Sequence, residues 1–466
     1  MSNTQESFRD KLSTVDKEGK RVWVYPKKQG GRYYNARTYL SYFLLAFLFL
    51  SPFIHINGSP FMLMNVFERK FVILGITFLP QDFFLFVLAM ISLLVFITLF
   101  TVVFGRIFCG WVCPQTIFME SVFRRIEYWI EGDANQQRKL TQQEWNREKI
   151  LKRGGKQVIF FIISFLIANT FMAFLVGREH WVEIVTSSPA KHLPGFIGLV
   201  AFSGAFYFVF SYMREQVCTI ACPYGRLQSV LLDKDSIVIA YDNVRGEPRG
   251  KLEKNIPESE RKHGDCVDCN LCVQVCPTGI DIRNGTQLEC INCTLCIDAC
   301  DEVMDKIEKP RGLIRYASYN NINNKTPFKI TPRIIGYSVV LTLILGVFGF
   351  SLIGRSDFET TILRTPGSLF QETEAGNIIN IYTLQMVNKT NKDIQFELKL
   401  EDAVSGTLKI VKQGNTVPKQ GVFDSAFLIE IPKSELKERK NEIEIGVYEN
   451  GKKIDEVETH FIGPMK

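Results

Sequence analysis

Twelve cysteines stand in four short clusters along the 466-residue chain, a spacing that points to metal ligation rather than to crosslinks. The densest stretch reads Cys266-x2-Cys269-x2-Cys272-x3-Cys276-Pro277, followed by Cys290-x2-Cys293-x2-Cys296-x3-Cys300. This is the spacing of two 4Fe-4S clusters in which the fourth thiolate of each run crosses to the other cluster. It predicts one cubane on Cys266, Cys269, Cys272 and Cys300, and a second on Cys290, Cys293, Cys296 and Cys276. A pair of zinc sites is the competing reading. The tandem spacing, with no histidine at ligand distance in the sequence, argues against it. Two cubanes imply one-electron chemistry. Asp301 stands where a proline would echo Pro277, which affects the local turn and leaves every sulfur in place.

The remaining cysteines form two pairs, Cys109-x3-Cys113-Pro114 and Cys218-x3-Cys222-Pro223. Proline disfavours helix at the residue before it and suits the first position of a helix after it. Cys113 and Cys222 should therefore sit at helix N-termini, with Arg106, Arg214 and Arg226 nearby in sequence. That setting lowers a thiol pKa. Thiolates favour Cu(I), zinc and iron–sulfur clusters, so up to four sulfurs could form a soft-metal or redox site. The plainer reading is that these are small buried apolar side chains.

The elements that must carry these motifs are membranous. Apolar residues make up 46% of the chain and charged residues 22%, values ordinary for a soluble protein, but the apolar residues are gathered into long runs. That excludes a single soluble domain. Five runs reach the ~20 residues a span requires: Thr38 to Ile54, Phe83 to Phe104, Gln157 to Val176, Leu193 to Met213 and Ile334 to Ile353. A shorter run, Phe71 to Pro80, reads as an interfacial or re-entrant piece. Nine Lys and Arg precede the first span and ten occupy Gly105 to Lys156, while the loops holding Arg69 and Lys70, and Arg178 and Lys191, carry two each. The positive-inside rule then places residues 1–37, the 105–156 loop and 214–332 in the cytoplasm and the tail outside. Every cysteine falls on the reducing side. The polar segment before the first span is too long for the n-region of a cleaved signal peptide. The two hairpins of spans, each ending in a CysxxxCysPro pair, form a weak internal repeat. Parallel repeats of that kind would bring the two pairs together at one face.

The tail alternates, as in Ile379-Asn-Ile381-Tyr-Thr-Leu384 and Ile394-Gln-Phe396-Glu-Leu398, and Asn450-Gly451 marks a hairpin. The predicted architecture is an α-helical membrane protein with five transmembrane helices, an inserted two-cluster bacterial ferredoxin-like domain and a C-terminal all-β immunoglobulin-like sandwich. Its parts are a cytoplasmic segment 1–37, a four-helix membrane domain 38–213 with the first CysxxxCysPro motif at 109–114, and a cytoplasmic segment 214–332 with the ferredoxin domain at about 260–305. The fifth helix at 333–354 and a periplasmic domain at 355–466 complete it.

These clusters and this plan resemble the CcoG family of cytochrome c oxidase accessory proteins, also called FixG or RdxA. The resemblance rests on Val22-Trp23-Val24-Tyr25-Pro26, on Phe108-Cys109-Gly110-Trp111-Val112-Cys113-Pro114-Gln115-Thr116, on the eight ferredoxin cysteines, and on the sandwich after the fifth span. It implies a multi-pass protein of the bacterial inner membrane that reduces Cu(II) to Cu(I) in the cytoplasm for assembly of the cbb-type oxidase. A copper exporter, oxidase assembly factors and a cytoplasmic electron donor of unknown identity would be its partners. Copper would be substrate or transient ligand on Cys109, Cys113, Cys218 and Cys222. Two other readings use the same residues. One is an electron-transfer subunit between a cytoplasmic donor or quinol and a membrane partner; the other is a copper-binding assembly factor. His55, His180 and His192 fall in outer loops or at span ends, which argues against haem inside the helices, and Met62 and Met64 read as interfacial packing. The basic loops are accounted for by topology and call for no nucleic acid.

Overall fold

The computed structural model describes residues 13–16, 18–56, 58–251, 263–367, 369–373, 376–401, 406–412, 414–436 and 438–464. The expected start of the ferredoxin domain near residue 260, and the first twelve residues of the N-terminal segment, lie outside them. The chain divides into two compact units. The first gathers the chain up to Pro52 with Val87–Phe174 and Arg178–Val347; the second gathers Phe53–Phe86, Leu175–Gly177 and the chain from Phe348.

Among the described residues, five helices are long and apolar enough to cross a membrane: Arg32–Phe53, Pro80–Phe104, Arg147–Val176, Leu193–Met213 and Pro332–Ile353. Two begin more than a full turn earlier than hydropathy alone suggests, and in each case polar contacts carry the extra turns. The first helix starts at Arg32 because its free backbone N–H groups find a carboxylate far along the chain. Asp298 accepts from the N–H of Tyr33 (3.1 Å) and of Tyr34 (2.7 Å), satisfying donors that the helix cannot satisfy itself. Gly31 makes room for that cap, because any side chain there would overlap the Asp298 carboxyl. The third helix runs for 30 residues, about 45 Å, well beyond the ~30 Å of a hydrocarbon core. Its polar N-terminal turns bury Lys149 and Lys156 against protein partners.

The ferredoxin segment of the first unit has two cysteine loops, each leading into a helix. Leu271–Gln274 stops before Cys276-Pro277. Leu295–Lys306 runs straight through Cys300 because Asp301 does not break it, and Asp301 accepts from the N–H of Gly312 (3.0 Å). An antiparallel pair, Val238–Tyr241 with Ile314–Ala317, backs the loops with buried Ile239, Tyr241 and Ile314. The N-terminal strap lies on the same segment: the N–H of Lys27 donates to the carbonyl of Gln274 (2.8 Å), and Gln29 Nε2 to Glu302 (2.8 Å).

In the second unit the apolar run from Phe71 to Pro80 is not a re-entrant piece. It supplies two strands, Lys70–Ile73 and Ile76–Phe78, of an antiparallel sheet with Met62–Asn65. Leu74 (φ 54°) and Gly75 (φ 81°) turn between them, too sharply for a helix. Met62 and Met64 lie on the first of these strands, Met62 half-buried and Met64 exposed. Buried Asp82 ties this segment to the tail through Arg355 (2.7 Å) and Lys389 (2.8 Å).

The tail forms antiparallel sheets around one apolar core that includes Tyr382, Phe427 and Phe461. One sheet orders Thr407–Ile410, Gly421–Pro432, Asn377–Asn388 and Phe358–Arg364; another orders Glu397–Leu400, Lys440–Glu449 and Lys452–Ile462. The Asn450-Gly451 hairpin forms with both residues at positive φ, 48° and 80°. Strand Asn377–Asn388 points Ile378, Asn380, Tyr382, Leu384 and Met386 inward. Asn380 is polar yet buried because its side chain exchanges hydrogen bonds with the Ile462 backbone.

Candidate metal centre

The two CysxxxCysPro motifs are built alike. After the helix Phe83–Phe104, Gly105 (φ 56°) turns the chain into a short helix, Ile107–Trp111. Cys113 is extended (φ −58°, ψ 124°) and Pro114 opens the next helix, which passes through a π-helical stretch at Phe118–Phe123. In the second motif Arg214 breaks the helix with φ 51°, and Cys218 rides on a single π-helical turn, Val217–Ala221. Cys222 is extended (φ −73°, ψ 111°) before the helix Pro223–Leu231. Irregular π turns of this kind recur at functional sites.

The structure brings these four cysteines together. Cys218 lies within electrostatic reach of Cys109, Cys113 and Cys222, and Cys113 within reach of Cys222. Among the described residues, no three Cys, His, Asp or Glu side chains converge at the spacing of a single ion. The expectation of a lowered thiol pKa is overturned at Cys113. Burial raises Cys109 and Cys113 above the ordinary thiol value and pushes Cys218 up to about 12. Arg106 opposes this at Cys109 and Cys218, and the N–H groups of Gln115 and Thr116 oppose it at Cys113, but desolvation outweighs both. Arg214 points elsewhere, into a bidentate pair with Glu127, and Arg226 is exposed.

That bidentate pair belongs to a buried charge network beneath the motifs that the sequence reading did not find. Both Arg214–Glu127 bonds are 2.7 Å. Lys156 reaches Glu131 (2.9 Å) and Glu127 (3.5 Å), Arg124 reaches Glu120 (2.9 Å), and Arg21 reaches Glu215 (2.9 Å). Burial pushes the Glu127 carboxyl up, but Arg214, Lys156 and Arg124 outweigh it and hold its pKa below the usual value. Only Glu120–Arg124, four apart on one helix, carried a local signal; the other partners are distant in sequence.

The eight ferredoxin cysteines divide between two cavities. One is lined by Cys266, Cys269, Cys272 and Cys300 with Tyr241, Leu313 and Ile314. The other is lined by Cys276, Cys290, Cys293 and Cys296, and also by Cys272, with Ile239, Ile280 and Ile282. The loops repeat each other in backbone detail. Asp268 and Asn270 have φ 48° and 57°, and Asn292 and Thr294, at the equivalent positions, have φ 53° and 69°. Aspartate and asparagine tolerate this region, whereas a buried β-branched Thr294 does not adopt it without tight surroundings. The donors fit two cubanes: at least four cysteines line each cavity, set in curled loops with largely apolar walls. Burial raises Cys272, Cys290 and Cys300 to about 12 and Cys293 to about 11, so loading metal must displace protons. Cys269 is the exposed member of the set.

Paired cysteine cages beside five helices of membrane-spanning length and apolarity define an iron–sulfur electron-transfer protein of the membrane. Comparison with known proteins agrees. Residues 213–319 match the family model of a 4Fe-4S dicluster domain, residues 86–132 that of a 4Fe-4S binding domain, and residues 348–464 that of the IG-like fold at the C-terminal of FixG. The chain is 34% identical to Protein RdxA of Cereibacter sphaeroides, with 82% of each chain covered. It is 32% identical to Protein RdxB of the same organism (85% of this chain, 86% of the relative). It is 31% identical to the nitrogen fixation protein FixG of Rhizobium meliloti (84% and 82%). The chain belongs to the FixG/RdxA family. The 86–132 match includes Cys109 and Cys113, and the 213–319 match includes Cys218 and Cys222 together with the ferredoxin cysteines.

Proposed function

We propose that this protein reduces Cu(II) to Cu(I) at the cytoplasmic face of the bacterial inner membrane, in support of cbb-type oxidase assembly. Cys266, Cys269, Cys272 and Cys300 would hold one 4Fe-4S cluster, and Cys276, Cys290, Cys293 and Cys296 the other. These clusters supply single electrons, and Cu(II) needs one. Cys109, Cys113, Cys218 and Cys222 would take copper as substrate, since sulfur favours the cuprous product. The observation that carries the reading is that one cysteine of each motif meets the ferredoxin loops: Cys109 and Cys218 pack in one buried cluster with Cys293 and Cys296. The charge asymmetry of the loops supports a cytoplasmic N-terminus and metal centre with the tail outside. A copper exporter, oxidase assembly factors and a cytoplasmic electron donor are the partners this role requires.

The test is anaerobically purified protein, reduced and mixed with Cu(II) in the presence of a Cu(I) chelator. Catalytic Cu(I) formation is expected. It should be lost in the double variant Cys109→Ser, Cys113→Ser while the cluster absorbance remains. Unchanged turnover in that variant rejects the copper assignment. Reduced clusters that pass no electron to Cu(II) would instead favour an electron-transfer subunit serving another membrane partner.

A further inference from the structure

The ferredoxin cavities stand in different relations to the CysxxxCysPro sulfurs. The cavity of Cys266, Cys269, Cys272 and Cys300 has no CysxxxCysPro residue on its wall, and its Cys269 is exposed. The other has none on its wall either, but two of its wall residues, Ile291 and Cys293, pack against Cys109 of the first motif. Cys109 shares a buried cluster with Ile291, Cys293 and Leu295. Gly110 lies flat on the loop before Cys293, so that a Cβ there would sit 2.5 Å from the carbonyl oxygen of Ile291 and 2.7 Å from that of Asn292. Only glycine permits this backbone-to-backbone approach.

Several bonds pin the contact. Arg106 donates through Nε to Gln228 Oε1 (2.9 Å) and also holds the Leu288 carbonyl, and Cys109 Sγ donates to the same Gln228 oxygen (3.2 Å). Trp111 Nε1 donates to the Tyr316 hydroxyl (3.1 Å), and Arg37 Nη1 to the Cys293 carbonyl (3.0 Å).

We infer that electrons leave the ferredoxin domain from the Cys276, Cys290, Cys293 and Cys296 side, across the contact of Gly110 with the Ile291–Asn292 peptide, to the CysxxxCysPro sulfurs. The exposed Cys269 side is then where an external one-electron donor delivers. The balance is one electron per turn: the reduced cluster returns to its oxidised state as Cu(II) becomes Cu(I), and the donor restores the cluster. Gly110 acts here as a positioning residue. Its absent side chain sets the separation across which the electron passes. This inference rests on the copper reading above, deepening it by naming the route.

The test uses the full-length protein in detergent or nanodiscs, as wild type, as Gly110→Ala and as the milder Trp111→Phe, which removes the bond to Tyr316. Iron and sulfide content is measured first. The clusters are reduced chemically, then mixed rapidly with Cu(II), and their reoxidation is followed by absorbance. The expected result is unchanged reduction, with reoxidation several-fold slower in Gly110→Ala and slowed less in Trp111→Phe. In metal-free protein, alkylation of Cys109 should be faster in both variants, because the contact that shields it is loosened. Reoxidation at the wild-type rate in either variant, with full iron content, overturns the route; Trp111→Phe keeps this outcome available if Gly110→Ala does not assemble. If Cu(II) fails to reoxidise even the wild type, it is the copper reading that falls, and unchanged Cys109 labelling in both variants would then overturn the contact as well.

Discussion

Replacing Glu127 by glutamine should open the second CysxxxCysPro motif. Glu127 is buried and holds both Nη atoms of Arg214 at 2.7 Å, with Lys156 at 3.5 Å. Arg214 itself adopts φ 51° and ψ −121°, a region that costs a non-glycine residue roughly 1–3 kcal/mol and persists only where its surroundings impose it. Four residues on is Cys218, on its single π turn. Glu127→Gln keeps the size and removes the charge, leaving Arg214 buried without its main counter-ion and Lys156 with Glu131 alone. Breaking a buried pair from one side costs about 3–5 kcal/mol, which corresponds to about 10²–10⁴-fold more of the locally opened state. The assay is alkylation of metal-free protein at neutral pH, with each cysteine quantified by mass spectrometry. Wild-type Cys218 should label slowly, because burial keeps its thiol protonated, with a pKa of about 12. In Glu127→Gln its labelling should accelerate on that scale, while Cys269, already exposed, should change little. Labelling of Cys218 within twofold of wild type would show that the ion pair does not hold the turn.

Other consequences follow from the same geometry. Asp82→Ala leaves buried Lys389 and half-buried Arg355 without their shared carboxylate, so the second unit should lose about 3–5 kcal/mol, read as a lower denaturation midpoint for the tail; an unchanged midpoint would exclude the role assigned to Asp82. Gly31→Ala would displace Asp298 from the N-terminus of the first helix, and the lost cap should cost about 0.5–2 kcal/mol, seen as earlier thermal loss of cluster absorbance. Metal-free protein should lose stability as pH rises. Cys218, Cys272, Cys290 and Cys300 titrate near 12 when folded, whereas an unfolded thiol titrates near about 8.5, so above that value the unfolded chain sheds protons that the folded chain retains. The stabilisation is complete below about pH 8.5 and is lost progressively toward 12. Thermal midpoints that stay level or rise between pH 8 and 10 would contradict it.

Much of this protein was legible because local patterns carry their own chemistry. The x2-x2-x3 spacing reads as cubane ligation from short stretches, since each loop brings three of its own sulfurs round one cluster and lends its fourth to the other. Prolines after Cys113 and Cys222 force extended backbone at the cysteine and open a helix after it, and the observed angles follow. Long apolar runs and the Asn450-Gly451 turn are equally local. What tertiary structure decided depends on partners far apart in sequence. The Cys113 thiol pKa ran opposite to expectation because burial is a property of packing, and the nearby Arg214 turned to Glu127 rather than to sulfur. The run Phe71 to Pro80 was apolar enough to suggest the membrane, but two left-handed turn residues made it part of a small sheet. The cap of the first helix by Asp298, and the seat of Gly110 on the loop before Cys293, could not be read from spacing at all. Each joins residues more than 150 positions apart, where only the folded chain determines which polar group or backbone meets which.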